Sequence, residues 1–164
     1  PYQKSRILTF LDPSRDPLGA GYQITQSKIA IGSGGFFGKG FLNGSQSYLD
    51  YLPEKHTDFI FTLFSEEFGF FGSSLVLALY VVVTMRIVSI GNMVRDTFSK
   101  LYCYSFATAF FIYVAVNMCM VLGLIPIVGA PLPIISYGGS SMMAMMFGLG
   151  IAMSCKIHKD LSIN

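Results

Sequence analysis

The chain of 164 residues is 52% hydrophobic and 12% charged, with a mean hydropathy of +0.57 and a formal net charge of +2. That balance excludes an ordinary soluble domain, and its Lys and Arg residues are scattered rather than striped, which argues against a nucleic-acid partner. The basic residues gather instead at the edges of apolar tracts, where membrane lipid is the expected partner.

Residues 1–57 read as a large extracytoplasmic loop. DPSRDPLGAGYQ opens it with two Asp-Pro steps, and QSKIAIGSGGFFGKGF follows, in which a short strand-like or helical apolar run meets five glycines between Gly32 and Gly40. Such glycine density marks backbone that turns tightly or approaches something closely. It is no nucleotide phosphate loop: Ser33 stands where the first glycine is required and Gly40 replaces the final hydroxyl, while Phe37 breaks the dinucleotide pattern. Lys39, held among those glycines, offers positive charge to an anionic group.

LPEKHTDFIF then places two acids, a lysine and a histidine at the mouth of an apolar segment. Ionisable groups at the membrane edge are costly to hold, and such a cluster needs a reason. Thr57 is expected to cap a membrane-edge amphipathic helix over residues 58–69, with Asp58, Thr62, Ser65 and, at the margin, Glu66 on one polar side. Asp58 alone would improve a helix N-terminus. With Glu54, Lys55 and His56 beside it and a polar stripe beneath it, it reads as a functional carboxylate rather than a helix cap. His56 can orient Asp58, touch a diphosphate or cap the loop, and Lys55 supplies a further positive charge. Gly69 and Gly72 permit a bend before the span proper.

Residues 68–85 and 101–155 carry no charge. A span needs roughly 20 apolar residues, so the first tract holds one and the second holds two. Gly123, Pro126, Gly129, Pro131 and Pro133 split the second, because proline breaks a helix interior. Spans are therefore expected at 70–90, 101–124 and 139–155, with an extracytoplasmic loop at 125–138 and a cytoplasmic tail at 156–164. Arg86, Arg95, Lys100, Lys156 and Lys159 then fall on one side, the cytoplasmic one. The fold class is an all-α polytopic membrane protein: a large outer loop followed by three transmembrane helices. No cleavable signal is visible and the chain opens on Pro1, which suggests the C-terminal part of a larger protein.

Within these spans Ser140, Ala144, Gly148 and Ala152 recur every four residues, a small-residue face for close helix packing. Asn117 is expected to bond to a neighbouring helix. Cys103, Cys119 and Cys155 lack metal or redox spacing and read as packing residues. Ser136 and Tyr137, in a turn that looks re-entrant, border a cavity or support it.

IAIGSGGFFGKGF, GSQSYLDYLPEKHTDFIFTLFSEEFGFFG and GLIPIVGAPLPIISYGGSS together resemble the SEDS family of membrane proteins (shape, elongation, division and sporulation), nearest its RodA-like branch. The resemblance implies a ten-span fold of which this chain is the outer loop and last three spans, and a peptidoglycan glycosyltransferase that polymerises lipid II at the outer face of the bacterial cytoplasmic membrane during elongation and shape maintenance. The essential aspartate of that family falls on Asp58, which glycan chain growth would use as the general base for the acceptor hydroxyl. Gly44-Ser45-Gln46-Ser47 and Gly129-Ala130-Pro131-Leu132-Pro133 favour the elongation branch over the FtsW-like division branch, although Ala130 is smaller than the family's usual aliphatic residue. Substrate contacts would come from Lys39, Glu54, Lys55, His56, Thr57, Ser136 and Tyr137. No metal-ligand set is apparent, and a divalent cation, Mg2+ or Mn2+, would at most be held partly by Asp58. The implied partners are a class B penicillin-binding transpeptidase and membrane proteins of the elongation complex. The competing readings are a lipid II flippase and a non-catalytic membrane scaffold for the transpeptidase.

Overall fold

The computed structural model describes residues 20–41, 43–44 and 57–158. Among them the regular structure is entirely helical: α1 (Ala20–Gly34), α2 (Ile60–Met93), α3 (Thr97–Val121) and α4 (Gly139–Ile157). The last three are long and apolar enough to cross a membrane. Their many exposed apolar side chains, among them Leu79, Met85, Phe111 and Phe147, are what hydrocarbon requires of a surface.

α1 was expected only as a short strand-like or helical run. It is a 15-residue helix, stabilised by burying Ile24, Ser27 and Ala30 on one side. The Ser27 hydroxyl donates to the Val121 carbonyl at 2.7 Å, satisfying one of the orphan carbonyls at the end of α3.

α2 joins the expected membrane-edge helix to the first span in one element, interrupted at Gly69 (φ 66°, ψ −163°). That conformation is open essentially to glycine alone. The break frees backbone groups that residues 35–40 then satisfy. Lys39 N–H and Gly40 N–H donate to the Glu66 and Glu67 carbonyls at 3.0 and 3.1 Å, while Phe70 N–H and Phe71 N–H donate to Gly35 and Phe36 at 2.9 and 3.2 Å. Side chains would prevent this approach. A Cβ on Gly34 would lie 2.3 Å from the Ser65 carbonyl oxygen, and one on Gly38 would lie 2.0 Å from that of Glu67.

Helices α2 and α3 form a tight hairpin through residues 94–96. Asp96 caps α3, accepting from the Ser99 N–H and hydroxyl at 2.9 Å each, and these bonds, the backbone one first, hold its carboxyl below the usual range. The cap explains why α3 begins at Thr97 rather than at 101: a polar first turn with its own cap is helical even where charge suggests a loop. α3 ends at Val121, before Gly123 (φ 67°), so residues expected to complete the span turn away instead. α4 runs two residues beyond its expected end, to Ile157, with Lys156 in the last turn.

Packing occurs at two levels. Phe59, Tyr80, Phe110, Val114 and Leu132 share one core, and Ile87, Cys103, Ala107 and Ala152 share the other. The small-residue face of α4 is used only in its second half. Gly148 admits the Phe106 ring, which a Cβ would meet at 2.2 Å, and Tyr102 donates its hydroxyl to the Gly148 carbonyl at 3.1 Å. Ser140 and Ala144 are exposed.

Candidate functional site

The expectation that Thr57 caps a helix containing Asp58 does not hold. Thr57, Asp58 and Phe59 form a turn, the helix begins at Ile60, and its N-cap Phe59 makes no side-chain capping bond. The fully buried Phe59 ring anchors this turn in the core, so tertiary packing rather than capping sets where the helix starts. Asp58 therefore stands just outside the helix, only 7% exposed.

The polar side anticipated below it is real but points inward. Thr62, Ser65 and Glu66 are all buried. Thr62 Oγ1 has no hydrogen-bond partner among the described residues. Glu66, fully buried, receives Lys39 Nζ at 2.7 Å. Lys39 is thus engaged by a carboxylate across the Gly69 break while remaining 31% exposed. Nothing local in the sequence could pair two residues 27 positions apart; the available signals were the glycines flanking Lys39 and the inward register of Glu66.

Two further elements close on Asp58. The 125–138 connection brings Gly129 (φ 78°) so near that a Cβ there would sit 3.5 Å from Asp58 Oδ2. From α3, the Asn117 amide donates to the Asp58 main-chain carbonyl at 3.0 Å and to that of Ala130 at 2.6 Å. The expected helix-bonding role of Asn117 is therefore met by backbone, and the backbone includes the site itself.

A cavity of about 800 Å³ opens beside this cluster, lined by Ile60, Ile134 to Gly139 and Met142. Ser136 is buried there, with Oγ unpartnered among the described residues, and Tyr137 is 84% exposed. Asp58 lies two residues before the wall at Ile60. Ile134, in the same wall, has φ 71°, a strained backbone for a β-branched residue. Tyr80 pins this turn by donating to the Pro133 carbonyl at 2.5 Å. Asp58, Ser136 and Tyr137 are thus drawn to one end of the bundle, Thr57 adjoins Asp58 in sequence, and Lys39 is held one helix segment away by Glu66. Glu54, Lys55 and His56 lie outside the described residues. Among those described, no three His, Cys, Asp or Glu residues gather as a metal site.

A buried carboxylate at the end of a bundle of membrane-length helices, two residues from the wall of an apolar-lined cavity, marks a helical membrane protein that holds an ionisable group inside its fold. Residues 1–161 match the FtsW/RodA/SpoVE family, described as cell cycle proteins, and the chain belongs to that family. It is 50% identical over 160 residues to the peptidoglycan glycosyltransferase MrdB of Escherichia coli strain K12, covering 98% of this chain and 43% of that protein. It is 46% identical over 154 residues to the peptidoglycan glycosyltransferase RodA of Treponema pallidum, covering 94% and 36%. A solved structure described as a peptidoglycan synthase complex that coordinates polymerisation and crosslinking superimposes with a TM-score of 0.77 at 33% identity, covering 97% of this chain and 43% of that one. The chain therefore spans less than half the length of the curated relatives it matches.

Proposed function

We propose that this chain carries the Asp58-containing portion of a peptidoglycan glycosyltransferase that extends glycan strands from lipid II in the bacterial cytoplasmic membrane. The observation that carries the reading is the placement of Asp58: a residue only 7% exposed, its main chain tied to α3 by Asn117, its carboxylate close to Gly129, and two residues before Ile60 in the cavity wall. In this reaction an acceptor sugar hydroxyl attacks the anomeric carbon of the lipid-linked donor. The new carbon–oxygen bond forms as the bond to undecaprenyl diphosphate breaks, and Asp58 takes the hydroxyl proton. A positioned base contributes about 10² to 10⁴ in rate.

Ser136 and Tyr137 contact the substrate from the cavity wall, and Thr57 does so from the turn, together with Glu54, Lys55 and His56. Lys39 reaches the departing diphosphate only by exchanging its Glu66 partner for it. A Mg2+ or Mn2+ ion, if bound, would be held partly by Asp58 and would add positive charge at that diphosphate. A class B penicillin-binding transpeptidase is the proposed partner, with membrane proteins of the elongation complex around it. The GSQS and GAPLP stretches support a role in elongation rather than division.

The test is polymerisation by the full-length protein reconstituted with lipid II and its transpeptidase. Asp58→Asn should lower turnover by about 10² to 10⁴ while transpeptidase binding persists. Undiminished polymerisation would reject Asp58 as the base and leave lipid transport or scaffolding as the reading to pursue.

A further inference from the structure

Asn117 sits wholly buried in α3, within a helix otherwise built for hydrocarbon and close packing. A carboxamide in such a place is costly, the more so because its Oδ1 has no hydrogen-bond partner among the described residues, and a leucine of similar size would serve packing better, so what the side chain contributes lies with its nitrogen. Both of its hydrogen bonds leave from the same nitrogen and end on main-chain carbonyls, those of Asp58 and Ala130, which lie 59 and 13 residues away in sequence. This geometry fixes the amide orientation, because an oxygen facing two carbonyl oxygens would repel both. The amide thus joins the turn bearing Asp58 to the turn bearing Ala130 and its neighbour Gly129, where an added Cβ would lie 3.5 Å from Asp58 Oδ2.

We infer that Asn117 is a positioning residue for the reaction, acting through Asp58. It touches neither sugar nor diphosphate. By bridging the two carbonyls it sets how far the Asp58 turn stands from the Gly129 turn, and hence where the carboxylate meets the acceptor hydroxyl. A displacement of about 1 Å at a reacting group is enough to cost about 10² in rate. The inference rests on Asp58 serving as the base.

The experiment uses the full-length protein in liposomes with lipid II, measuring kcat, KM and the stoichiometry of lipid II binding. Asn117→Leu keeps the volume and removes both donors; Asn117→Gln keeps the donors on a longer arm. We expect Asn117→Leu to lower kcat by about 10²-fold, with binding stoichiometry retained and KM within about threefold. Asn117→Gln should recover part of the loss. In an Asp58→Glu background, where the carboxylate is already displaced, Asn117→Leu should cost less than about threefold more, because two residues acting as one unit are not additive.

Wild-type kcat in Asn117→Leu, a kcat loss matched by lost binding stoichiometry, or a full multiplicative loss in the Asp58→Glu background would each overturn the positioning role. Any of these, combined with an inactive Asp58→Asn, leaves the base assignment standing. An Asp58→Asn protein that polymerises normally overturns both.

Discussion

Asp58 rests against Gly129, whose φ of 78° lies in the region that side chains avoid. Steric space is not the constraint, since an added Cβ would be at an ordinary 3.5 Å from Asp58 Oδ2. The constraint is the backbone, where an L-residue costs about 1–2 kcal/mol. Gly129→Ala should therefore relax the turn away from its present shape and carry the wall of the site with it. Turnover is expected to fall by about tenfold or more, with a small loss of thermal stability, measured together by polymerisation and by melting in detergent. At this scale the sequence was informative about chemistry and poor about partners. Asp58 stood out because an acid at the mouth of an apolar helix is expensive. Glu66 falls at the margin of the polar side by helical spacing, and its partner Lys39 comes from the glycine-rich segment 27 residues earlier. Asn117 reads as bonding to a neighbouring helix, because one sequence cannot say that the atoms it meets are carbonyls of two turns.

Among the elements, the docking of residues 35–40 into the break at Gly69 is the feature that ties the outer segment to the bundle. The glycines predicted a close approach, and Gly69 predicted a bend, but not that the two would satisfy each other's backbone. Thr57 looked like a cap on residue type alone, yet the burial of Phe59 decides where α2 begins. The Lys39–Glu66 pair adds an asymmetry that can be measured. Glu66 is fully buried, while Lys39 retains 31% exposure and can turn to water. Lys39→Met removes the cation from beside a carboxylate that cannot reach solvent, and is expected to cost about 3–5 kcal/mol. Glu66→Gln keeps the shape, lets the ammonium rehydrate and should cost about 1–3 kcal/mol. Melting of both variants in detergent checks the order; equal losses would argue against it.

For the whole molecule, the apolar tracts and their proline and glycine breaks made the three helices legible, because hydrocarbon imposes length and composition directly. Their ends were less legible. Asp96 extends α3 toward its N-terminus by capping it, and Gly123 stops it early, both through local hydrogen bonding and backbone conformation that a charge-free window does not register. The membrane family was visible in three long motifs, whereas the paired glycine contacts that assemble them into one site depend on the tertiary fold.

The interruption at Gly69 has a mechanical corollary. Beyond it, α2 continues as a helix long and apolar enough to span; before it, the short segment leading back to Asp58 is fastened to residues 35–40 rather than carried by an unbroken helix. Tilting of that span, the usual response to hydrophobic mismatch, is then taken up at a joint instead of swinging the carboxylate. Polymerisation by the reconstituted full-length protein should accordingly vary little between liposomes of shorter and longer acyl chains, even as the inclination of the spans changes to suit each bilayer.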